Sequence, residues 1–407
     1  MNCRHCKASL TETFLDLGLA PPSNAYLTAV ELSKPEKQYP LKIMVCTVCW
    51  LVQTEDYAEA DELFSSNYAY FSSTSSSWLA HAARYAEKLT KMLDLNETKL
   101  VIEVGSNDGY LLKNFLTTGV SCLGIEPTAS TAAVAKQLGI SVIQEFFGKA
   151  LGKRLASDGR QADLIIGNNV YAHVPDINDF TMGLKALLKP TGTITLEFPH
   201  IKELIEYNQF DTVYHEHFSY LSLCTVERIF KGAGLRIWDV ETLPTHGGSL
   251  RIYGCHFEDT RVTTNAVERL RNEEVGFGLQ NLAIYQKFQI QANKVKKDLL
   301  GFLIEQKNSG KRVAAYGAAA KGNTLLNYAG VTSDLLPFIC DAAIAKQGKY
   351  TPGSHIPILP PSALSSEFWD FILVLPWNIV REIMAENSEL KASGTKFVVA
   401  VPEMRTL

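Results

Sequence analysis

Four ionisable or phenolic side chains follow one another in the segment VYHEHFSY at residues 213–220. Tyr214, His215, Glu216 and His217 suit proton transfer, because an imidazole titrates near neutral pH and can act as an acid or a base. In a zinc-protease helix the two histidines are four positions apart, so this segment does not match that site. On a strand, His215 and His217 would share a face and could bind a metal, although the sequence offers no evident third ligand.

A further histidine, His173, ends the segment NNVYAH, directly after an apolar run that predicts a buried strand. Ligands of doubly wound sheets bind beyond the carboxyl ends of the strands, which is where this residue would lie. We weigh a catalytic or substrate-contacting role equally against a hydrogen-bonded loop histidine.

Two CxxC pairs, Cys3 with Cys6 and Cys46 with Cys49, are separated by 39 residues. Each pair turns two thiolates towards one point, and two pairs complete a tetrahedral sulfur site that suits zinc. Four unrelated buried cysteines would not account for the paired spacing. Because all four ligand positions would be thiolates, none is left for water or substrate, and we expect the zinc to be structural.

The segment LVIEVGSNDGYLL at residues 100–112 joins an apolar run to a turn that contains two glycines. Gly105 permits a tight turn off a strand, and Gly109 lets the backbone approach a ligand where a helix begins. The spacing differs from the GxGxxG of dinucleotide enzymes, whose pyrophosphate needs a denser glycine loop. Glu126 closes the next predicted strand, where an acid can accept hydrogen bonds from both ribose hydroxyls.

Methyltransferases use this acidic glycine turn and second-strand acid to bind S-adenosylmethionine, which makes it the expected cofactor. We expect the adenine near residues 144–147 and the methionine end near Asn168 and Asn169. The predicted cofactor-binding residues are Glu103, Gly105, Asn107, Asp108, Gly109, Glu126, Phe146, Asn168 and Asn169.

Two more glycine-bearing segments are candidate ligand sites. In THGGSLR (residues 245–251), the paired glycines beside Ser249 and Arg251 suit an anionic ligand, and a plain turn between strands is the alternative. In GAAAKGN (residues 317–323), a strand leads through a turn into a helix, and Asp341 closes the next strand. This turn lacks the dinucleotide fingerprint and a Walker lysine followed by Ser or Thr, so a second nucleotide site and a structural turn remain open.

Strand and helix patterns divide the chain into three blocks, at residues 1–72, 73–258 and 259–407. The first is short and bears the cysteines, and the second alternates strands with helices and predicts a doubly wound sheet. Its strands are expected at residues 100–104, 122–125, 141–143, 164–166 and 193–198. Before them, Trp78, Ala82, Tyr85, Leu89 and Met92 form one apolar face of a predicted helix. The third block predicts a smaller α/β unit with strands at 313–316, 338–341 and 371–375, preceded by a helix at 281–306.

Composition limits the classes of protein that remain. The 407 residues are 46% hydrophobic and 20% charged, which is ordinary for a globular protein. The net charge of -4 is not the basic footprint of a nucleic-acid binder. We see no secretory signal and no apolar run long enough to span a bilayer, so we expect a cytoplasmic protein without a membrane partner. A monomer is the working expectation.

Together these segments resemble the bacterial sugar C-methyltransferase family, which builds branched deoxysugars. The resemblance covers essentially the whole chain and rests on CRHC, CTVC, EVGSNDGYLL, NNVYAHVPD, VYHEHFSYLS, PTHGGSLR and YGAAAKGNTLLNY. It implies an α/β fold in which a Rossmann-like methyltransferase domain is flanked by a small N-terminal zinc-binding domain and a smaller C-terminal α/β domain. It also implies methylation of carbon 3 of a 4-keto-6-deoxy sugar linked to a thymidine or guanosine diphosphate.

The resemblance assigns roles to individual residues. His217 would be the base, with Glu216 orienting it or shuttling the proton, while Tyr214 and His173 would surround the sugar oxygens. Tyr68 or Tyr70 would cover the pocket from the zinc block. The remaining substrate-binding residues implied are His246, Gly248, Ser249, Arg251, Lys321 and Asn323.

Three alternatives stay open at this point. A zinc-ribbon RNA methyltransferase shares the cysteine pairs, but a basic chain would be expected. A non-catalytic protein of the same fold would bind neither the cofactor nor the nucleotide sugar. A nicotinamide-dependent sugar epimerase or dehydrogenase is disfavoured by the glycine spacing.

Overall fold

The structure is a computed structural model that describes residues 1–55, 71–74 and 76–407. The strands are β1 Glu12–Ala20, β2 Tyr39–Val45, β3 Val52–Thr54, β4 Leu100–Val104, β5 Ser121–Ile125, β6 Ser141–Ile143, β7 Ala162–Asn168, β8 Leu188–Pro199, β9 Ser219–Tyr220, β10 Leu235–Leu243, β11 Ser249–His256, β12 Val313–Tyr316, β13 Ile339–Cys340, β14 Ile358–Leu359, β15 Phe371–Val374, β16 Lys396–Val399 and β17 Arg405–Thr406.

The α-helices of the described residues are α1 Ser76–Met92, α2 Leu112–Leu116, α3 Ala129–Gln137, α4 Lys149–Ser157, α5 Ile177–Leu187, α6 Ile201–Glu206, α7 Leu223–Ala233, α8 Asn265–Phe277, α9 Leu282–Gln286, α10 Phe288–Asn308, α11 Ala320–Ala329, α12 Val380–Glu386 and α13 Ser388–Ala392. None of them combines the length and the apolarity that a membrane-spanning helix requires.

The central sheet has seven strands in the order β10-β11-β8-β7-β4-β5-β6. Strands β8 to β6 run parallel, whereas β10 and β11 form an antiparallel hairpin at one edge. The chain moves outwards from β4 through β5 to β6 and then returns to β7, so the strand order reverses next to β4. In doubly wound sheets the ligand crevice opens at such a reversal, beyond the carboxyl ends of the strands.

The five strands predicted in the middle block are confirmed as β4 to β8, and β8 is longer than expected. It begins at Leu188, before Pro190 and Gly192, which are typical of a turn. The extra residues bulge out of the ladder, because the pairing jumps from Ala162–Leu188 to Leu164–Thr193.

Helix α1 covers the sheet with the apolar face that its sequence predicts, with one exception. Ala82, Tyr85 and Leu89 are buried, but Met92 is 39% exposed. Met92 is the last residue of the helix, where the chain already turns away. The helix expected at 281–306 is also divided, into α9 and α10.

Two smaller sheets flank the central one. The N-terminal sheet has the order β1-β2-β3-β9 and is antiparallel, and its last strand comes from the segment that follows the YHEH residues. The C-terminal sheet has the order β14-β13-β12-β15-β16-β17, and its strands are parallel except for β17. Its order reverses next to β12, which places a second crevice in front of α11.

One apolar core joins the N-terminal sheet to the C-terminal domain. Phe14 of β1 stacks on Phe288 of α10 with ring centroids 4.7 Å apart, and it meets the edge of Tyr285 at 5.7 Å. All three rings are buried. The N-terminal strands therefore bury their apolar face against residues more than 250 positions later in the chain.

Candidate active site

A cavity of about 610 Å³ lies where the carboxyl ends of the central and C-terminal sheets face each other. Of the predicted site residues, those that line it are Gly105, Asn107, Glu126, Phe146, Asn168, Asn169, His173, Tyr214, Glu216, His217, His246 and Lys321. Those absent from its described lining are Glu103, Asp108, Gly109, Gly248, Ser249, Arg251 and Asn323. Tyr68 and Tyr70 lie outside the described residues.

The turn after β4 holds the acid at the end of β5 in a fixed position. Glu126 accepts hydrogen bonds from the backbone N–H groups of Asn107 and Thr128, each at 2.9 Å. Opposite, at the end of β7, the side-chain oxygens of Asn168 and Asn169 are buried and accept no hydrogen bond within the described part of the chain. Buried polar atoms are normally satisfied, so these two oxygens fit the donors of a bound polar molecule such as S-adenosylmethionine.

Glu103 and Asp108 are buried beside this turn and are not part of the described cavity lining. Glu103 is fully buried, and neither of its oxygens has a hydrogen-bond partner among the described residues. Burial, reinforced by the nearby charges of Asp108 and Glu126, raises the pKa of Glu103 well above its ordinary value. Asp108 accepts a hydrogen bond from the backbone N–H of Ser73 at 3.0 Å and thereby anchors the chain that enters α1.

Gly109 packs against neighbouring segments of the chain and is not part of the described cavity lining. A Cβ atom at this position would lie 2.5 Å from Cδ1 of Ile140 and 3.3 Å from Cα of Ala135. Gly109 has a φ of +79°, and α2 begins three residues later. The glycine is required because the turn packs against α3 and the loop after it, whereas Gly105 lines the cavity.

His217, which is buried, and His173, which is partly exposed, form a pair on the other side of the cavity. Nδ1 of His217 is 2.9 Å from the carbonyl oxygen of Thr212, and Nδ1 of His173 is 2.7 Å from that of Glu216. A carbonyl only accepts, so each Nδ1 carries the proton and each Nε2 is left as an acceptor. The ring of His217 lies 4.6 Å from that of His173 and 4.0 Å from that of Tyr214.

Both imidazoles are neutral at pH 7. Burial lowers the pKa of His173 to about 4. Burial, together with the neighbouring His173, lowers the pKa of His217 well below its ordinary value. His215 differs, because its Nε2 is 3.3 Å from the carbonyl oxygen of Tyr39 and it is not part of the described lining. The two histidines of the YHEH segment therefore do not share a metal site.

Glu216 is held by a residue of the N-terminal block. Nδ2 of Asn24 donates to both carboxylate oxygens of Glu216, each at 2.8 Å. The carbonyl oxygen of Thr212 orients the ring of His217. Tyr26 also lines the cavity and donates to the carbonyl oxygen of Ala318 at 2.5 Å. Sequence reasoning missed Asn24 and Tyr26, and the adjacent Pro21–Pro22 pair gave no signal beyond irregular structure.

Arg251 is engaged by other residues of the chain and is not part of the described cavity lining. Residue 251 lies directly opposite Glu197 in the antiparallel pairing of β11 and β8. Its guanidinium forms an ion pair with Glu197, lies 3.8 Å from the ring centroid of Tyr85, and is 2% exposed. Ser249 donates to the carbonyl oxygen of Thr245 at 2.9 Å, as expected for a turn between strands.

The C-terminal domain contributes cations to the cavity. Lys321 lies in the first turn of α11, where Nζ donates to Oδ1 of Asn378 at 2.7 Å and lies 4.6 Å from the ring centroid of Trp377. Burial lowers the pKa of Lys321, although Asp211 opposes this effect. Lys346 donates to the carbonyl oxygen of Ala318 at 2.9 Å.

Gly248 and Asn323 serve packing rather than the cavity. A Cβ atom at Gly248 would meet Cγ of Glu203 at 2.6 Å. Asn323 is fully buried and donates to the carbonyl oxygen of Ser23 at 2.7 Å. Both residues are therefore used to join segments of the chain.

The four predicted zinc ligands come together. The sulfur atoms of Cys3, Cys6, Cys46 and Cys49 lie within 4.8 Å of one another, and the pairs Cys3–Cys49 and Cys6–Cys46 are each 3.5 Å apart. Four thiolates around a zinc with bonds of about 2.3 Å would be roughly 3.8 Å apart, so the group fits. Nε2 of Gln53 lies 3.3 Å from the sulfur of Cys3, as an outer-shell donor should.

Arg4 connects this zinc site to the cavity. It is 6% exposed, and it donates to the carbonyl oxygens of Pro175 at 2.6 Å and Thr54 at 3.1 Å. Pro175 lines the cavity two residues after His173. The zinc site therefore supports one wall of the candidate active site.

Family models match three consecutive parts of the chain. They describe a zinc binding domain at residues 3–64, a methyltransferase domain at residues 78–240 and a C-methyltransferase C-terminal domain at residues 244–402. The chain is 33% identical over 405 residues to the C-methyltransferase NovU of Streptomyces niveus, covering 100% of this chain and 96% of that protein. It is also 28% identical over 117 residues to a ubiquinone biosynthesis O-methyltransferase of Rhodopseudomonas palustris, covering 28% of this chain and 46% of that protein.

Among solved structures, magnesium protoporphyrin IX methyltransferase of Synechocystis with bound SAH is similar, with a TM-score of 0.34 and 14% identity, covering 44% of this chain and 82% of that chain. The fold, the glycine turn and the family models define an S-adenosylmethionine-dependent methyltransferase with a zinc-binding domain. More narrowly, the chain belongs to the C-methyltransferase family that includes NovU. This membership sets aside the RNA methyltransferase and the nicotinamide-dependent enzyme.

Proposed function

We propose that this C-methyltransferase methylates carbon 3 of a 4-keto-6-deoxy sugar linked to a nucleoside diphosphate. The observation that carries the proposal is the composition of one cavity. It unites the cofactor turn at Glu126, the acceptor nitrogens of His173 and His217, and the ammonium of Lys321. Such a cavity can receive the cofactor, remove a proton from carbon and bind an anionic group at the same time.

A carbon next to a ketone becomes nucleophilic only when a base removes its proton and a donor stabilises the enolate oxygen. The Nε2 of His217 is the proposed base, because the Thr212 carbonyl keeps the proton on Nδ1. The hydroxyl of Tyr214 is the proposed donor. The Nε2 of His173 accepts instead, which suits a sugar hydroxyl.

Bound S-adenosylmethionine supplies an electrophilic methyl group. Glu126 and the Gly105 turn would hold its ribose, Phe146 its adenine, and Asn168 and Asn169 its methionine end. Burial of His217 keeps water away from the enolate, which water would otherwise protonate.

The charge of Lys321 is evidence that the substrate carries a nucleoside diphosphate. No carboxylate of the described residues lies within ion-pair distance of its ammonium, and a half-buried cation is stabilised when a ligand brings the opposite charge. The first N–H groups of α11 add partial positive charge, since its N-cap residue Ala319 makes no side-chain cap. We accordingly assign zinc binding to residues 1–72, cofactor binding to 73–258 and nucleotide binding to 259–407.

The test compares two histidines of one segment. Purified protein is incubated in D₂O with S-adenosylmethionine and a panel of thymidine- and guanosine-diphosphate 4-keto sugars, and products are analysed by mass spectrometry. One sugar should gain one methylene. With S-adenosylhomocysteine in its place, carbon 3 should exchange its proton for deuterium.

The His217→Asn variant should lose this exchange by at least about 100-fold, in line with removal of a general base. His215→Asn, whose imidazole is not part of the described lining, should retain it. Wild-type protein that methylates none of the sugars would contradict the substrate class. Undiminished exchange in His217→Asn would contradict the base.

A further inference from the structure

Three cavity-lining residues that are not glycine, Asn107, Asn169 and His246, have left-handed backbone conformations, and the last two lie next to each other. The φ of Asn169 is +53° and that of His246 is +54°, and Nδ2 of Asn169 lies 3.2 Å from Nε2 of His246. Such conformations are uncommon outside glycine, although Asn and His adopt them more readily than most residues, and surrounding contacts stabilise them. Contacts with neighbouring residues should therefore stabilise the backbone conformations of Asn169 and His246.

Glu197 contacts both Asn169 and the residue that precedes His246. Its backbone carbonyl accepts a hydrogen bond from the N–H of Asn169 at 2.7 Å. Its Oε1 accepts one from the hydroxyl of Thr245, the residue before His246, at 2.8 Å. Glu197 is fully buried and does not belong to the described cavity lining. Glu197 thus holds Asn169 through its main chain and the segment of His246 through its side chain.

A third contact extends this arrangement to α1. Oε2 of Glu197 lies 3.1 Å from Nε2 of His81, whose ring stacks on Trp78 with centroids 5.0 Å apart. Trp78 lines the cavity, and its ring centroid is 5.1 Å from that of His246. The contacts form a closed loop that starts and ends at Glu197.

The charge of Glu197 strengthens each of these contacts. Burial alone would raise the pKa of Glu197, but the hydrogen bonds and charges of His81, Arg251 and Thr245 lower it to about 2. The carboxylate is therefore ionised, and hydrogen bonds to an ionised acceptor are stronger than those to a neutral one. Arg251, opposite it on β11, provides the compensating positive charge.

We propose that Glu197 is a positioning residue for methyl transfer, which holds Asn169, His246 and Trp78 in the geometry that binds the cofactor. It acts without touching the cavity. This role rests on binding of S-adenosylmethionine and is independent of the sugar proposed above.

The main test is Glu197→Gln, which keeps the shape of the side chain and removes its charge. Its Kd for S-adenosylmethionine and for S-adenosylhomocysteine, measured by titration calorimetry, should rise at least about tenfold. The matched control is Glu241→Gln. Glu241 is the second carboxylate on Arg251, with Oε2 at 3.4 Å from Nη1, and its Oε1 accepts a hydrogen bond from Tyr253. Glu241 contacts neither Asn169 nor His246 in the described structure, and its variant should bind within about twofold of wild type.

A second variant covers the possibility that Glu197→Gln fails to fold. Thr245→Val replaces a single hydroxyl by a methyl group and should raise the same Kd about three- to tenfold in a protein that still unfolds cooperatively well above the assay temperature. Steady-state kinetics should show a raised KM for the cofactor. Cofactor affinity within twofold of wild type in Thr245→Val, and in Glu197→Gln if that variant folds, would overturn the proposal. So would an equal loss in Glu241→Gln.

Discussion

Replacement of Gly109 by alanine separates a packing role from a ligand-binding role. The added Cβ would have a left-handed φ, which costs about 1–2 kcal/mol. It would also lie 2.5 Å from Ile140 and 3.2–3.3 Å from Ala135, and overpacking of this kind typically costs about 1–3 kcal/mol. We therefore expect Gly109→Ala to lower the free energy of unfolding by about 2–5 kcal/mol.

Gly119 provides the matched control, because its φ is +80° and a Cβ there meets nothing within 4 Å. Gly119→Ala should cost only the conformational part, about 1–2 kcal/mol. The effect of alanine on the unfolded chain is common to both variants and cancels in the difference. Urea unfolding followed by circular dichroism measures both values, and titration calorimetry measures cofactor affinity.

A third variant, Gly105→Ala, should show the opposite balance, because Gly105 lines the cavity and its added Cβ would lie 3.0 Å from Val170. We expect Gly105→Ala to change the free energy of cofactor binding more than it changes the free energy of unfolding. The packing interpretation would be refuted by two results together. Gly109→Ala and Gly119→Ala would have equal free energies of unfolding, and Gly109→Ala alone would lose cofactor affinity tenfold. In that case Gly109 would be a ligand-contacting residue.

Three further outcomes are expected. Lys321→Met should raise the KM of the nucleotide sugar about 10- to 100-fold, the value of one charge-assisted hydrogen bond, while the Kd of S-adenosylmethionine stays unchanged. Cys49→Ser should reduce bound zinc, measured by atomic absorption, and cost at least about 3 kcal/mol of stability, whereas Cys122→Ser, outside the cluster, should bind zinc normally. Burial raises the pKa of Asp211 to about 6, so its stabilising contribution is complete below pH 4 and is lost as the pH rises through 6. Asp211→Asn should abolish that loss and raise stability at pH 8 relative to wild type, by up to about 3 kcal/mol in urea unfolding; an unchanged pH dependence would contradict this assignment.

Features with a local signal could be predicted from the sequence. The central strands are short apolar runs bounded by glycine or polar residues, and they form where expected. The zinc ligands come as two pairs whose spacing already brings each pair together, so only the meeting of the pairs depends on the fold. Glu126 follows from its place at the end of a strand, since the carboxyl edge of a parallel sheet gathers such residues.

Features that depend on pairing between distant segments could not be predicted. Arg251 beside two glycines is typical of an anion site, but the register of β11 against β8 places it opposite Glu197 and neutralises it. Gly109 carries no mark that distinguishes a close approach to Ala135 from a close approach to a ligand. Asn24 reaches Glu216 across 192 positions of the chain, and no local pattern predicts such a contact.

The shared core of Phe14 and Phe288 has a consequence for synthesis on the ribosome. Translation adds about 5–20 residues per second, so β1 emerges roughly 15–50 s before the helix against which it packs. During this interval its apolar face has no partner and is exposed to aggregation or to a chaperone. Zinc binding during this interval would hold the cysteine pairs of the nascent segment together. Zinc starvation should therefore lower the yield of correctly folded chains before it removes zinc from enzyme that has already folded.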